Sequence, residues 1–290
     1  MRVGFIGLGD QGGPMAQMIA AAGFPMTVWA RRPAVAAPFV ARGARLAGDP
    51  AALAAASELV CLCVTGDDDV RQLLVDRGMI TAMRKRSLLA IHSTIRPDTC
   101  RALAQQAAAR GVALLDMPVS GSGHAALART LLVMAGGEAA AIARTMPVLE
   151  SYAGTIIRMG DVGTAMKAKL INNLMAVVNI GQAFRALSLG SRLGVDPGAL
   201  RTALMAGTGR TFAIDLIERL QVPDRADHVR AILVKDVDLA IAAMPAAERD
   251  YWHPLARTGL AALATLIAGE SIPLRQRKDS HGGHVACGTA

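Results

Sequence analysis

Aromatic residues are scarce: two Trp, two Tyr and five Phe amount to 3% of the 290 residues. Recognition of nucleic acid by stacked rings is disfavoured accordingly. Packing must come from aliphatic side chains, which raise the hydrophobic content to 52%. Cysteines number four, Cys61, Cys63, Cys100 and Cys287. They form no paired framework of the kind that staples secreted domains, and no His or second Cys pair stands at zinc-ligand spacing. Cys61 and Cys63 share one face of an expected strand, as buried thiols in a reducing cytoplasm would. His92, His124, His253, His281 and His284 show no mutual ligand spacing, so no metal is assigned. Charged residues are limited to 19%. Yet no apolar stretch reaches the roughly 18 to 20 uncharged residues of a membrane span. The first apolar run is broken by glycines, which argues against a signal peptide. The net charge is +8, but the cations are scattered and unaccompanied by aromatics, unlike a nucleic-acid surface. Arg275-Gln276-Arg277-Lys278 is a dense run, and it sits in a polar terminus that reads as solvated. An anionic small-molecule substrate and an anionic cofactor explain the positive balance as well.

What is present begins at once. Residues 2–6, Arg-Val-Gly-Phe-Ile, form a short apolar strand. Gly7-Leu8-Gly9-Asp10-Gln11-Gly12 follows, and a helix opens at Pro14-Met15-Ala16. Strand, Gly-rich turn and helix are the context that the dinucleotide fingerprint needs. Gly7 permits the tight turn, Gly9 lets backbone approach a pyrophosphate, and Gly12 lets the helix pack on the strand. The helix N-terminus offers free N–H groups and the positive end of its dipole to the phosphates. An ordinary Gly-rich turn is the competing reading.

From residue 1 to about 160 the pattern alternates. Strands are expected at 2–6, 26–30, 59–64, 88–91, 112–116, 131–135 and 155–158, with Ala-rich helical segments between most of them. Apolar strands without period-2 alternation are what a parallel sheet covered on both faces requires, so this half is a Rossmann-type doubly wound α/β domain. After Gly163 the texture changes. Residues 164–193 run as one long helix without Pro, apolar nearly all round, which implies burial against a partner subunit or its own domain. Asp196-Pro197 then caps and starts another helix. Helices are expected at 197–205, 211–220, 226–244 and 254–268. The chain thus divides into a dinucleotide-binding domain (1–160), a helical substrate and dimerisation domain (161–270) and a loose tail (271–290).

Cofactor choice is written at the end of the second strand. NAD-selective proteins place a carboxylate there for the ribose 2′-hydroxyl. Here the strand ends Ala30-Arg31-Arg32-Pro33, and the guanidinium pair suits a 2′-phosphate, favouring NADP over NAD. The alternative is a pair of surface arginines that begin a helix.

On the long helix, Lys169, Asn172 and Asn173 stand at i, i+3 and i+4 and share a face, while Lys167 points elsewhere. An ammonium beside two amides on an apolar helix is costly to bury. Next to a cationic nicotinamide it would be pushed toward neutrality and could exchange a proton with a substrate hydroxyl, with Asn173 and Asn172 orienting it. A lysine reaching the surface beside two backbone-capping asparagines is the competing reading.

These blocks together resemble the β-hydroxyacid dehydrogenase family, which includes 3-hydroxyisobutyrate dehydrogenases and tartronate semialdehyde reductases. Asp116-Met117-Pro118-Val119-Ser120-Gly121 is similar to its substrate-binding loop, with Thr130-Leu131 at the expected distance. Gly163 through Asn173 is similar to its catalytic helix, and Lys235-Asp236 to a later Lys-Asp pair. Ser93-Thr94-Ile95-Arg96-Pro97 is similar to its loop near the nicotinamide. The resemblance implies hydride transfer between NADP and a small 3-hydroxy acid or aldehyde acid. It gives Lys169 and Asn173 catalytic roles, and gives Ser120, Gly121, Ser122, Asn172 and Lys235 substrate contacts. It places Val64, Thr65, Thr94 and Lys235 beside the cofactor, together with the residues of the first turn. Lys235 remains balanced between an active-site cation and a surface residue. Departures fall at Gln11, His92, Ser122, Arg129 and Ala165, where the family commonly has an apolar residue, an acid and three glycines. They put the usual substrates in doubt. Two alternatives stay open: a reductase of imines or bulky carbonyls, which the altered substrate loop favours and Lys169 argues against, and a non-catalytic NADP-binding protein. A cytoplasmic homodimer or homotetramer is expected.

Overall fold

The computed structural model describes residues 1–220 and 223–268, with the side chains of 218–228 left out. Arg275–Lys278, His281, His284, Cys287 and the expected 271–290 tail lie outside the described residues. The first half alternates strands and helices: β1 (Val3–Ile6), α1 (Gly12–Ala21), β2 (Met26–Trp29), α2 (Pro33–Val40), β3 (Arg45–Leu46), α3 (Pro50–Ala56) and β4 (Leu59–Leu62). Then come α4 (Asp67–Arg71), a π-helical turn (Gln72–Asp76), α5 (Met79–Ala82), β5 (Leu88–Ile91), α6 (Pro97–Ala108) and β6 (Ala113–Asp116). They are followed by β7 (Val119–Ser120), α7 (Gly123–Leu127), β8 (Leu131–Gly136), α8 (Ala139–Leu149) and β9 (Ala153–Gly160). The second half is helical: α9 (Thr164–Arg192), α10 (Pro197–Ala206), α11 (Phe212–Leu220), α12 (Pro223–Ala243) and α13 (Ala246–Ile267).

One sheet runs β3-β2-β1-β4-β5-β6-β8-β7, with β9 on β8. Pairing is parallel from β3 through β6. Strand residues alternate between two apolar clusters: Phe5, Cys61 and Ala90 pack on one face, Ile6, Leu62 and Ile91 on the other. Both faces are dry, so the strands are apolar at every position, as a doubly wound sheet demands. A fully buried Leu or Ile contributes about 1.5–3 kcal/mol here.

The sheet departs from the expected parallel pattern past β6. Strand β8 is antiparallel to β6 and β7, and β9 returns parallel to β8. The helix between β6 and β8 has only five residues, too few for the crossover a parallel pair needs. The two-residue strands β3 and β7 were not expected, because a pair of residues carries no periodicity. Helix α13 starts eight residues before the expected 254, since Pro254 lies inside it rather than at its start.

Contacts divide the chain into two compact units: Met1–Asn173 with Asp236–Pro245, and Leu174–Lys235 with the residues from Ala246 on. The core of the second unit is formed by Ile180, Ala183 and Leu187 of α9, Ile214 and Ile217 of α11, and Leu263 and Leu266 of α13. Within a single copy of the chain, helix α9 is not buried all round. Ile171 and Leu189 are 59% and 56% exposed, and Met175 is also exposed. No described helix is long and apolar enough to cross a membrane.

Candidate active site

Strand order reverses between β1 and β4, and the turn after β1 opens at that point. In open α/β sheets, ligands bind outside the carboxyl ends of the strands at such a reversal. Gly7 has φ +100°, and a Cβ on it would lie 2.0 Å from the Cys63 carbonyl oxygen. A Cβ on Gly12 would lie 1.9 Å from the Gly7 carbonyl. Both positions exclude side chains because backbone already fills the space. Gly9 is different: nothing lies within 4 Å of where its Cβ would be. The turn therefore presents bare backbone to open space. Leu8 is buried beneath it and Asp10 is exposed. Gln11 occupies the N-cap of α1 without capping it through its side chain, and the first turn carries no acid. An anion meets no competing carboxylate on α1.

The neighbouring strand ends line up beside this turn. Ala30 and Arg31 follow β2, and Arg32 is the N-cap of α2. Arg31 stands 3.6 Å from Asp69 and is 73% exposed. Val64 follows β4 and donates its N–H to Ser93 Oγ (2.8 Å), tying its loop to the one that holds Thr94. Thr65 N–H donates to Asp69 (3.3 Å). Arg96 donates through its backbone and side chain to Asp67. The loops after β4 and β5 are thereby clamped together next to the glycine turn. Among the described residues, no group of three His, Cys, Asp or Glu side chains could hold a metal ion.

The loop after β6 reaches the same place. Ser120 ends β7, Gly121 has φ +123°, and Ser122 precedes α7. A Cβ on Gly123 would lie 2.3 Å from the Asp10 carbonyl oxygen, so this loop abuts the glycine turn directly. Arg129 adopts φ +55°, a strained backbone for a residue with a Cβ. Asp116 is fully buried. It accepts from the N–H groups of Gly163 and Met166, both at 2.9 Å, and so caps α9. Burial pushes its carboxyl above the usual range, and those N–H donors pull it back. Ala165 is buried at the same helix start.

The helix face expected from spacing is present. Lys169 and Asn173 are 8% and 6% exposed, whereas Lys167 is exposed. Asn172 Nδ2 lies 3.4 Å from Ser120 Oγ and 3.0 Å from Asn173 Oδ1. Asn173 Nδ2 donates to buried Asp236. Ser120, Asn172, Asn173 and Asp236 thus form one polar chain along the helix that carries Lys169. Lys235, one residue before Asp236, falls in the second unit. Sequence reasoning missed Asp236 as the partner of Asn173 and Asp116 as the cap of α9. The Lys-Asp pair and the acid that ends β6 were the available signals.

His92 lies in the core rather than at the site. It is 3% exposed. Its Nδ1 is 2.7 Å from the Met117 carbonyl and its Nε2 3.4 Å from the Tyr152 hydroxyl. Burial lowers its pKa from 6.5 to about 4. Above 6.5 the ring is neutral in both folded and unfolded chain. As pH falls toward 4, only the unfolded chain takes the proton, so stability drops by up to about 3 kcal/mol. Urea midpoints measured between pH 7.5 and 4 check this, against a His92→Gln variant that should lose this component. Buried Asp116, shifted the other way, contributes with opposite sign in both proteins.

Residues 2–160 match the family model of the NAD binding domain of 6-phosphogluconate dehydrogenase. Residues 163–270 match that of the NAD-binding domain of NADP-dependent 3-hydroxyisobutyrate dehydrogenase. A 3-hydroxyisobutyrate dehydrogenase of Pseudomonas aeruginosa is 35% identical over 215 residues, covering 74% of this chain and 72% of that protein. Among solved structures, the Mycobacterium tuberculosis 3-hydroxyisobutyrate dehydrogenase with L-serine superposes with TM-score 0.77 at 27% identity, covering 91% of this chain and 98% of that one. Psf3 in complex with NADP+ and 2-OPP gives 0.81 at 25% identity, with coverage of 93% and 100%. A glycine turn in the first unit and a Lys-Asn-Asn helix face accompany matches that run through both halves, and the chain belongs to the β-hydroxyacid dehydrogenase family, an oxidoreductase with an NAD(P)-binding domain.

Proposed function

We propose that the chain is an NADP-dependent dehydrogenase of a small 3-hydroxy acid or aldehyde acid, with Lys169 as general acid/base. The observation that carries this reading is the buried Lys169 on the helix face whose Asn172 meets Ser120 of the loop that abuts the glycine turn. Bound NADP would supply or accept the hydride at the substrate's carbinol or carbonyl carbon. The chain's own residues do the rest. Lys169 holds the proton that the substrate oxygen gains or loses. Ser120, Gly121 and Ser122 offer hydroxyl and backbone N–H groups to a carboxylate. Asn173, fixed by Asp236, and Asn172 orient substrate and lysine. Gly9, Asp10 and Gln11 would present backbone to the pyrophosphate on the turn that Gly7, Leu8 and Gly12 shape. Ala30, Arg31 and Arg32 would hold the 2′-phosphate, and Val64, Thr65 and Thr94 would lie beside the cofactor. The NADP+ bound to Psf3 and the L-serine in the mycobacterial enzyme support this choice of ligand classes.

Screening NADPH oxidation against aldehyde acids, ketones and cyclic imines tests the reading. Turnover of aldehyde acids is the expected result. Turnover of imines alone would favour an imine reductase, and none at all a binding protein. The free thiols Cys61, Cys63 and Cys100 suit a reducing cytoplasm.

We also propose a homodimer or homotetramer. Ile171, Met175 and Leu189 of α9 are spaced 4 and 14 residues apart on one helix face and are exposed, with exposed Gln182 and Arg185 between them, and these uncovered apolar side chains are offered to a second copy. Light scattering at micromolar concentration should give at least the dimer mass, and Leu189→Arg should lower it. A monomeric wild type would defeat the proposal.

A further inference from the structure

Asp116 stands at an unusual junction. It is the last residue of β6, in register between Ile91 of β5 and Gly136 of β8. The substrate-loop sequence begins with it. Its carboxylate is wholly buried and binds the N–H groups of Gly163 and Met166, 47 and 50 residues further on. Met166 is three residues before Lys169, so the contact sits one helical turn upstream of that lysine. Gly163 has φ +91°, placing its N–H in a turn before the helix proper. Across the sheet, a Cβ on Gly136 would lie 2.3 Å from Asp116 Oδ1. The carboxylate therefore occupies space that Gly136 leaves vacant. Two elements are arranged around one side chain: a strand neighbour without a side chain, and a helix start aimed at both oxygens.

We propose that Asp116 is a positioning residue that fixes the axial setting of α9, and thereby the place of Lys169 relative to the substrate loop that begins at the same residue. The inference rests on the dehydrogenase reading above. A buried acceptor that binds two helix N–H groups holds the first turn rigidly, and charge-assisted bonds of this kind are about twice as strong as neutral ones. Near-attack geometry is steep: a displacement of about 1 Å can cost roughly 100-fold in rate. Loss of the anchor should therefore appear in turnover and not in cofactor binding, which uses the glycine turn.

The tests are Asp116→Asn and Gly136→Ala, the second acting on the same carboxylate from the strand side. Each should lower kcat with aldehyde acid by roughly 10- to 100-fold, leave the NADPH Kd unchanged, and speed amide exchange across 163–168. In a Lys169→Ala background, Asp116→Asn should lower kcat little further, because the anchor acts through the lysine. A folded variant with wild-type kcat overturns the proposal, as does a loss that is fully additive with Lys169→Ala. Should both variants fail to fold, amide exchange on the wild-type protein decides: Gly163 and Met166 must be protected, and rapid exchange at either sinks the anchor. If wild type turns over no hydroxy or aldehyde acid, the dehydrogenase reading fails separately, while those exchange rates still report on the anchor.

Discussion

Lys169→Ala should lower turnover by a factor of about 100 to 10,000, the usual contribution of a general acid/base, with NADPH affinity unchanged. Lys167→Ala should stay near wild type. Both changes remove one lysine side chain from one turn of α9. What differs is the face. Lys169 is 8% exposed, with Asn172 and Asn173 one turn further on, and Asn173 is held by Asp236. Lys167 is exposed to solvent. A proton relay needs a group held within hydrogen-bond reach of the reacting oxygen, and a solvated ammonium on another face cannot supply it. Steady-state kinetics with aldehyde acid and a fluorescence titration with NADPH separate the two effects. Equal losses in the two variants would defeat the argument from helix geometry. Full activity in Lys169→Ala would show that the proton comes from elsewhere, and would bring the imine or bulky-carbonyl reading forward.

The parts of this site that were legible in the sequence are those fixed by local geometry. The helical period places Lys169 with Asn172 and Asn173 and sets Lys167 apart, whatever the helix packs against. The turn from Gly7 to Gly12 is likewise local, because its glycines are required by contacts within a strand-turn-helix unit. The four-residue strands stood out because both their faces are buried. What was not legible depends on distant partners. The period of α9 says which residues share a face but not which face is covered, so the exposure of Ile171 and Leu189 was invisible. Asp116 meets Gly163 across 47 residues of chain, and Asn173 meets Asp236 across 63. No spacing rule connects such pairs. His92 follows β5 on the way to the Thr94 loop, which suggested a place near the nicotinamide. Its ring turns instead toward Tyr152, 60 residues away, and into the core.

Arg31→Ala and Arg32→Ala should each weaken NADPH binding roughly tenfold, the lower end of the 1.5–3 kcal/mol expected of a charge-assisted hydrogen bond, and leave NADH binding unchanged. The lower end applies because Arg31 is 73% exposed and already pairs with Asp69 at 3.6 Å. An exposed pair of this kind contributes about 0–1 kcal/mol, so a dianionic 2′-phosphate can draw the guanidinium away at little cost. Asp69 is itself held by the Thr65 N–H, which keeps a negative charge close to that phosphate and limits the net gain. Asp69→Asn should therefore tighten NADPH binding and leave NADH alone, the opposite sign from the arginine changes. Arg32, as the N-cap of α2 with extended backbone, projects from the end of the strand where the ribose lies in this fold. The double variant should bring the two cofactors to nearly equal affinity. Titrations of both cofactors against the wild type and the four variants check the set. Equal affinities in the wild type, or a preference for NADH, would show that these arginines do not select the phosphate.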